Sequence, residues 1–242
     1  MPPTKEFTPA QMTFLRGGDG TVERDPVTAI GCILSIDPSG GGLVSAIGIV
    51  GLYVYKHEGA LHYEIAHAVA VSVDIKTYLF AIADLIHAHA AALLAASNRQ
   101  PVVYIESIDR VSYTGHLFNY MYPTAPFGPV RETVFFDKES KRERFDVVKG
   151  AIDEGRLRIR SDLKRFIRPK SWANYLGVIT NLSDRGDVDW QFNVRTATGE
   201  NVRLLEEMER LPQLQSPKKY KQMDDVVLAM VNGIYCASQD YA

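Results

Sequence analysis

Three strand-type segments stand next to one another before the first helical segment, and this order limits the folds open to the chain. Residues 28–36 form an apolar run without helical spacing, and residues 44–56 and 61–72 are rich in β-branched and aromatic residues. Turn-forming sequences separate the three segments, which predicts three adjacent antiparallel strands.

After these strands the chain alternates between helical and strand-like patterns. We predict helices at 75–97, 111–122, 139–154, 161–182, 200–211 and 224–238, and strands at 101–105, 130–136, 156–159 and 187–198. Such alternation is typical of parallel strands joined by helices. The sequence therefore predicts an α/β fold with a mixed sheet, three antiparallel strands followed by parallel strands, and helices on both faces.

The chain has 242 residues, 46% of them hydrophobic, which is enough for one substantial core. We expect residues 1–27 to form a loose N-terminal leader and residues 28–242 to form the domain, with an excursion from the core at residues 187–219. Cys32 and Cys236 lie in apolar surroundings, which predicts buried thiols and no disulfide. No signal-peptide pattern or membrane-length apolar run occurs, so we expect a soluble, intracellular protein.

Acidic residues stand where several of these elements begin or end. Asp37 ends the first predicted strand, Glu106 ends the fourth, and Asp224 and Asp225 open the last helix. If the first and fourth strands are parallel neighbours, their carboxyl ends meet at one sheet edge, where sites form in such sheets. Converging carboxylates repel one another unless a cation neutralises them, and oxygen ligands suit Mg²⁺ or Mn²⁺. Two such ions can hydrolyse a phosphodiester bond.

Each acid also has an ordinary structural explanation. Asp37 begins a common β-turn sequence with Pro38, Glu106 is an acid at a strand end, and Asp224 with Asp225 is a typical helix start. The occurrence of acids at three matched places, more than any single acid, indicates a metal site.

Motifs around these acids resemble one known family. The stretches CILSIDPSGGG, VVYIES and KQMDDVVLAMVNGIYCA are similar, in order and spacing, to the nuclease domain of tailed-phage terminase large subunits, most of all in the short-tailed phages. The segment SKRERFDVVKGAIDEGRLRI resembles the helix and short strand found there between the second and third acids. The resemblance covers residues 28–182 and 220–238.

The resemblance implies an RNase H-like fold, two Mg²⁺ or Mn²⁺ ions, and endonuclease cutting of double-stranded concatemeric viral DNA. It matches Asp37 and Glu106 to the first two acids and Asp225 to the third, with Asp224 as an auxiliary ligand. The implied partners are a terminase ATPase domain or subunit, the portal and the small terminase, in the cytoplasm of an infected host. No membrane partner is implied.

This sequence departs from the family in two respects. Terminase large subunits carry an ATPase ahead of the nuclease, but no GxxxxGK[ST] phosphate loop occurs in this sequence. We therefore expect an excised nuclease domain or a separately encoded nuclease. The excursion at 187–219 is also longer than the resemblance implies.

Positive charge is concentrated in the second half of the chain. Residues 138–170 contain twelve Lys or Arg against six Asp or Glu. This excess suits the phosphate backbone of DNA, with little reading of bases, although a solvated helix face has the same pattern. The candidate DNA contacts are Arg142, Arg158, Arg160, Lys164, Arg165, Lys218, Lys219 and Lys221.

Three other functions stay open at this point. An RNase H-like junction resolvase or repair nuclease would keep the same site, and cleavage of branched against linear DNA separates the two. A sugar-kinase or actin-like ATPase also has an acid and glycines after its first strand, but it needs a second glycine-rich loop and a longer chain. A non-catalytic docking module of a packaging complex would not need the acids.

Overall fold

The structure is a computed structural model that describes residues 5–16, 23–38, 47–71, 79–106, 130–133, 138–164, 204–205, 207–209, 211 and 225–242. Its helices are α1 (Pro9–Leu15), α2 (Leu79–Ser97), α3 (Lys138–Asp153) and α4 (Asp225–Asp240). Its strands are β1 (Gly31–Asp37), β2 (Ile47–His57), β3 (Ala60–Val71), β4 (Val102–Glu106), β5 (Val130–Thr133) and β6 (Leu157–Lys164). Among these residues, no helix is long and apolar enough to cross a membrane.

The six strands form one mixed sheet in the order β5-β4-β1-β2-β3-β6. Strands β1, β2 and β3 are antiparallel neighbours, whereas β4 runs parallel to β1, β5 parallel to β4, and β6 parallel to β3. Glu58 and Gly59 have φ angles of 52° and 80°, as in the tight hairpin turns that match strand twist. The predicted sheet, with three antiparallel strands and parallel strands beside them, is confirmed.

Helices cover both faces of the sheet, as predicted. The side chains of α2 pack on one face with Cys32, Leu34 and Ile36 of β1. Helices α1, α3 and α4 pack on the other face, against Ile33 of β1 and its neighbours. Consecutive β1 side chains thus alternate between two apolar layers, because successive residues of a strand point to opposite faces. Both cysteines are buried free thiols, and burial raises the pKa of Cys32 to about 11.

Two segments expected outside the core contribute to it. Phe7, Met12 and Leu15 of the expected leader are buried on the α4 side of the sheet. Leu204 and Met208, within the expected excursion, are buried in the same layer. The described residues of the leader are therefore not loose, and Leu204 and Met208 do not leave the core. The domain limits themselves stay a prediction.

The helix predicted at 161–182 is wrong at its start. Residues 161–164 continue β6, whose ladder reaches Lys164 opposite His67 of β3. The pairing surface of β3 and the burial of Leu163 outweigh the local helical pattern. Residues 165–182, the helix predicted at 111–122 and the strand predicted at 187–198 lie outside the described residues.

A buried ion pair joins β3 to β6. Glu64 is 0% exposed and accepts a hydrogen bond from Arg160 at 3.1 Å. Arg160 also donates to Asp162, and its guanidinium lies 5.7 Å from the centre of the Tyr53 ring. Removing either charge would leave the other buried, so this pair has a structural role in the sheet.

Low pH should destabilise the fold through a buried histidine pair. His67 of β3 and His89 of α2 are buried, and their Nδ1 atoms lie 3.1 Å apart. Burial, then the neighbouring His67, places the pKa of His89 well below its ordinary value. The folded state therefore holds this ring neutral, whereas the unfolded chain protonates it below about pH 6.5.

We expect the free energy of unfolding to fall as the pH drops from 8 to 5, measured by urea denaturation. His89→Gln should reduce this pH dependence without removing it, because burial also lowers the pKa of His62 and His87. His57→Gln is the matched control, since His57 is an exposed histidine at the β2–β3 turn. Equal pH slopes for the parent chain and His89→Gln would show that the buried ring is not responsible.

Candidate active site at one edge of the sheet

The acids of β1 and β4 lie side by side at one edge of the sheet. Ile36 pairs with Ile105 in the parallel register of these strands, and Asp37 and Glu106 are the next residue of each. Paired strands are about 4.8 Å apart, so the two residues are backbone neighbours. The predicted parallel pairing of the first and fourth strands is therefore confirmed.

Both acids belong to the sheet face that α4 covers. Two residues before Asp37, the Cβ of Ser35 lies against Gly233 of α4. Two residues before Glu106, the Tyr104 hydroxyl donates to Asp240, near the end of α4. Because side chains two apart share a face of a strand, Asp37 and Glu106 point toward the α4 side.

A third acid comes to this edge from the start of α4. Gly48 of β2 pairs with Asp37 in the antiparallel register. A Cβ atom built on Gly48 would lie 2.1 Å from the Asp225 carbonyl oxygen, so the backbone of α4 rests directly on this glycine. Asp225 thus starts its helix beside Asp37. We call Asp37, Glu106 and Asp225 the acid edge; Asp224 lies outside the described residues.

The far end of α4 is held by a polar cluster of three residues. Arg131 of β5 donates to both carboxylate oxygens of Asp240 at 2.7 Å and to the Tyr104 hydroxyl at 2.9 Å. Tyr104 also donates to Asp240. These bonds tie the last residue of α4 to β4 and β5, at the opposite end of the helix from Asp225.

The acid edge differs in exposure from residue to residue. Glu106 is 8% exposed, whereas Asp37 and Asp225 are half-buried. In the part of the chain that the structure describes, no three His, Cys, Asp or Glu side chains form a ready metal-holding group. The side chains of the acid edge would therefore have to turn toward one another to share a cation.

Among the residues that the structure describes, three of the predicted DNA contacts differ in position and in exposure. Arg142 is exposed on α3. Helix α3 leads into the start of β6, which pairs with the start of β3, so its first turns lie toward the acid edge. Arg158 of β6 is the backbone register partner of Glu64 in β3, and it lies closer to the opposite edge of the sheet. Arg160 is buried in ion pairs, and we therefore leave it out of the proposed DNA surface.

The remaining predicted contacts cannot be placed on a surface. Lys164 ends β6, and only its backbone is described. Arg165, Lys218, Lys219 and Lys221 lie outside the described residues.

Sequence reasoning missed two features beside the acid edge. One is Gly48, whose close contact with α4 is visible only once the helix is placed. The other is a buried polar group formed by Arg144 of α3, Asn232 of α4 and Thr133 of β5. A signal for Arg144 was present, because it takes an apolar position on the helix in line with Val148 and Ile152.

The sheet order and the helices on both faces define an RNase H-like fold of the terminase nuclease type. The chain is similar to the human cytomegalovirus terminase nuclease domain, with a TM-score of 0.60 and 11% identity, over 95% of this chain and 94% of that one. A structure of the same domain, soaked with manganese and bound to an inhibitor, gives the same values. A second manganese-soaked structure has a TM-score of 0.57 and 12% identity, over 94% and 93% of the chains.

The likeness is one of fold, because so low an identity leaves the side chains free to differ. No protein-family model matches this sequence, and no curated protein matches it. The acid edge must therefore be judged on its own residues.

Proposed function

We propose that this chain is a metal-dependent endonuclease that cuts double-stranded viral DNA during genome packaging. The observation that carries the proposal is the meeting of Asp37, Glu106 and Asp225 at one edge of an RNase H-like sheet. The likeness to a viral terminase nuclease domain over nearly the whole chain supports the same function. Its setting would be the host cytoplasm, with the expected origin in a tailed bacteriophage.

The donor chemistry of the acid edge fits Mg²⁺ or Mn²⁺. The acid edge offers carboxylate oxygens, which these ions prefer, and no cysteine or histidine set that would favour zinc. Asp37, Glu106 and Asp225 would hold the ions, with Asp224 as an auxiliary ligand. When bound, two such ions supply an activated water and stabilise the departing oxygen of the phosphodiester. The similar cytomegalovirus domain was studied after soaking with manganese.

The backbone of the chain would bring these three residues to one edge before any cation arrives. The β1–β4 ladder fixes the spacing of Asp37 and Glu106, and the contact at Gly48 fixes Asp225. The low exposure of Glu106 limits its hydration and strengthens its attraction to a cation. The partners we propose are double-stranded DNA, an ATPase domain or subunit, the portal and the small terminase.

Cleavage of supercoiled plasmid by the purified chain tests this function. We expect nicked and linear products with Mn²⁺ or Mg²⁺ and none with EDTA. Linear and branched substrates, compared in the same assay, separate a packaging nuclease from a junction resolvase. Intact plasmid under every metal condition, from a folded chain that binds DNA, would favour a docking module instead.

Arg142 should contribute to DNA binding through backbone phosphates. Its guanidinium is exposed on α3, toward the acid edge. We expect Arg142→Ala to weaken binding of duplex DNA about equally for all sequences. The slope of log affinity against log salt concentration should fall by about 1. Fluorescence anisotropy at several salt concentrations measures both quantities.

Lys56→Ala is the matched control for Arg142→Ala. Lys56 is an exposed cation near the end of β2, at the opposite edge of the sheet. Its loss should leave the salt slope unchanged. Equal losses for the two variants would indicate attraction by overall charge and not a contact of Arg142.

A further inference from the structure

A chain of three buried hydrogen bonds runs from α3 to the strand that carries Glu106. Arg144 donates from Nη1 to Asn232 Oδ1 at 2.6 Å. Asn232 donates from Nδ2 to Thr133 Oγ1 at 2.9 Å. The Thr133 hydroxyl donates in turn to the Ile105 carbonyl at 3.4 Å. The last acceptor belongs to the peptide that joins Ile105 to Glu106.

The chemistry of these groups gives each of the three hydrogen bonds one direction from donor to acceptor. A guanidinium can only donate, so the amide oxygen of Asn232 must face Arg144. The amide nitrogen of Asn232 then faces Thr133, whose hydroxyl oxygen accepts. The Thr133 hydrogen is left for the Ile105 carbonyl. A positive charge at the start polarises all three bonds in the same sense, which strengthens each of them.

This chain of bonds lies in the interior of the protein. The exposed fractions are 8% for Arg144, 1% for Asn232 and 7% for Thr133. Neighbouring residues of the same two helices, Phe145 and Met230, belong to the apolar layer on this face of the sheet. Apolar side chains would fill this space with less desolvation, so a buried guanidinium here needs a reason beyond packing.

Its position relative to the acid edge supplies that reason. Thr133 is the register partner of Glu106 in the β4–β5 ladder. Asn232 lies seven residues, or two turns, after Asp225 on α4. The hydrogen bonds thus tie the helix that bears the third acid to the strand end that bears the second.

We propose that Arg144 is a positioning residue of the metal site, acting through Asn232 and Thr133 on the separation of Asp225 and Glu106. This proposal rests on the proposed metal-dependent function. Arg144 itself would touch neither the cations nor DNA in this role. Loss of a group hydrogen-bonded directly to a metal ligand usually weakens metal binding by about 10-fold to 100-fold. We expect the lower end of that range, because Thr133 bonds the peptide before Glu106 and not its carboxylate.

Thr133 offers the cleanest test, since one pair of variants separates its hydroxyl from its shape. Thr133→Val keeps the branched side chain but removes the hydroxyl. Thr133→Ser keeps the hydroxyl. Mn²⁺ affinity is measured on the whole chain from the electron paramagnetic resonance signal of free Mn²⁺, without DNA, and thermal unfolding is followed alongside.

Asp240→Asn is the matched control at the other end of α4. Asp240 also ties α4 to β5, through its ion pair with Arg131. A purely structural role predicts that Thr133→Val and Asp240→Asn lower the melting temperature without changing Mn²⁺ affinity. A positioning role predicts that Thr133→Val, and likewise Arg144→Met, weaken Mn²⁺ binding about 10-fold. Thr133→Ser and Asp240→Asn should then bind Mn²⁺ like the parent chain.

The outcomes distinguish this inference from the proposed function. Suppose that Mn²⁺ binding by the parent chain needs Asp37 and that folded Thr133→Val binds Mn²⁺ with the parental affinity. This result would overturn the positioning role and leave the nuclease proposal standing. Equal weakening by Thr133→Val and Asp240→Asn would also overturn it, in favour of general loosening of α4. A parent chain that binds no Mn²⁺ would overturn both proposals.

Discussion

Asp37→Asn should abolish metal-dependent DNA cleavage while the chain stays folded. Asp37 ends β1 between the β4 strand of Glu106 and the β2 glycine on which Asp225 rests. Asp37 is the member of the acid edge that lies next to both others, so its loss should affect any cation held there the most. The amide keeps the size of the side chain but removes the negative charge. We expect the cleavage rate to fall on the order of 10³-fold or more.

The measurement is plasmid cleavage with Mn²⁺, together with circular dichroism and thermal unfolding. Asp146→Asn is the matched control, because Asp146 is an exposed aspartate on α3. The control should cut like the parent chain. A folded Asp37→Asn variant that cuts at the parental rate would remove Asp37 from the site.

Gly48→Ala should damage both stability and cleavage. The new Cβ would stand 2.1 Å from the Asp225 carbonyl oxygen, and a backbone atom cannot rotate away as the end of a side chain can. Either α4 lifts from the sheet or β2 shifts beneath it. We expect a loss of about 1–3 kcal/mol in the free energy of unfolding. Displacement of Asp225 by about 1 Å should lower the cleavage rate by about 10²-fold.

Gly31→Ala is the matched control for Gly48→Ala, since Gly31 lies under the opposite end of the same helix. A Cβ on Gly31 would meet the ring and hydroxyl of Tyr241, whose side chain can turn aside. We expect a smaller loss of stability and parental cleavage. Urea denaturation and plasmid cleavage of both variants provide the comparison. Parental cleavage by Gly48→Ala would show that α4 need not rest on this glycine.

The sheet could be predicted from the sequence because its strands have strong local patterns. The apolar run before Asp37 and the run VVYIE are each short, rich in β-branched residues and followed by polar residues. Strand ends could therefore be located within a few residues. The placement of Asp37 and Glu106 at one edge then followed from parallel pairing alone.

The contribution of residues 5–16 to the core could not be predicted in the same way. Phe7, Met12 and Leu15 are few and widely spaced, and their burial depends on α3, which lies far along the chain. Helix α1 is only seven residues long, so tertiary contacts decide its stability more than local propensity does. Such contacts leave little trace in a local pattern.

The basic residues show the same limit on the functional side. Arg158 and Arg160 stand in one dense run of positive charge, which suggested a shared phosphate surface. The ion pair with the buried Glu64 draws Arg160 into the fold instead. The sequence singles out Arg142 and not Arg144, because a buried arginine on an amphipathic helix is recognised only from its partners, here Asn232.

The most direct test of the acid edge is to locate manganese in crystals of the full chain soaked with Mn²⁺. Anomalous scattering identifies each ion independently of any assumption about ligands. We predict peaks between Asp37, Glu106 and Asp225, absent from crystals of Asp37→Asn. Manganese bound only elsewhere, or no manganese in a chain that still cuts DNA, would contradict the assignment of this edge as the active site.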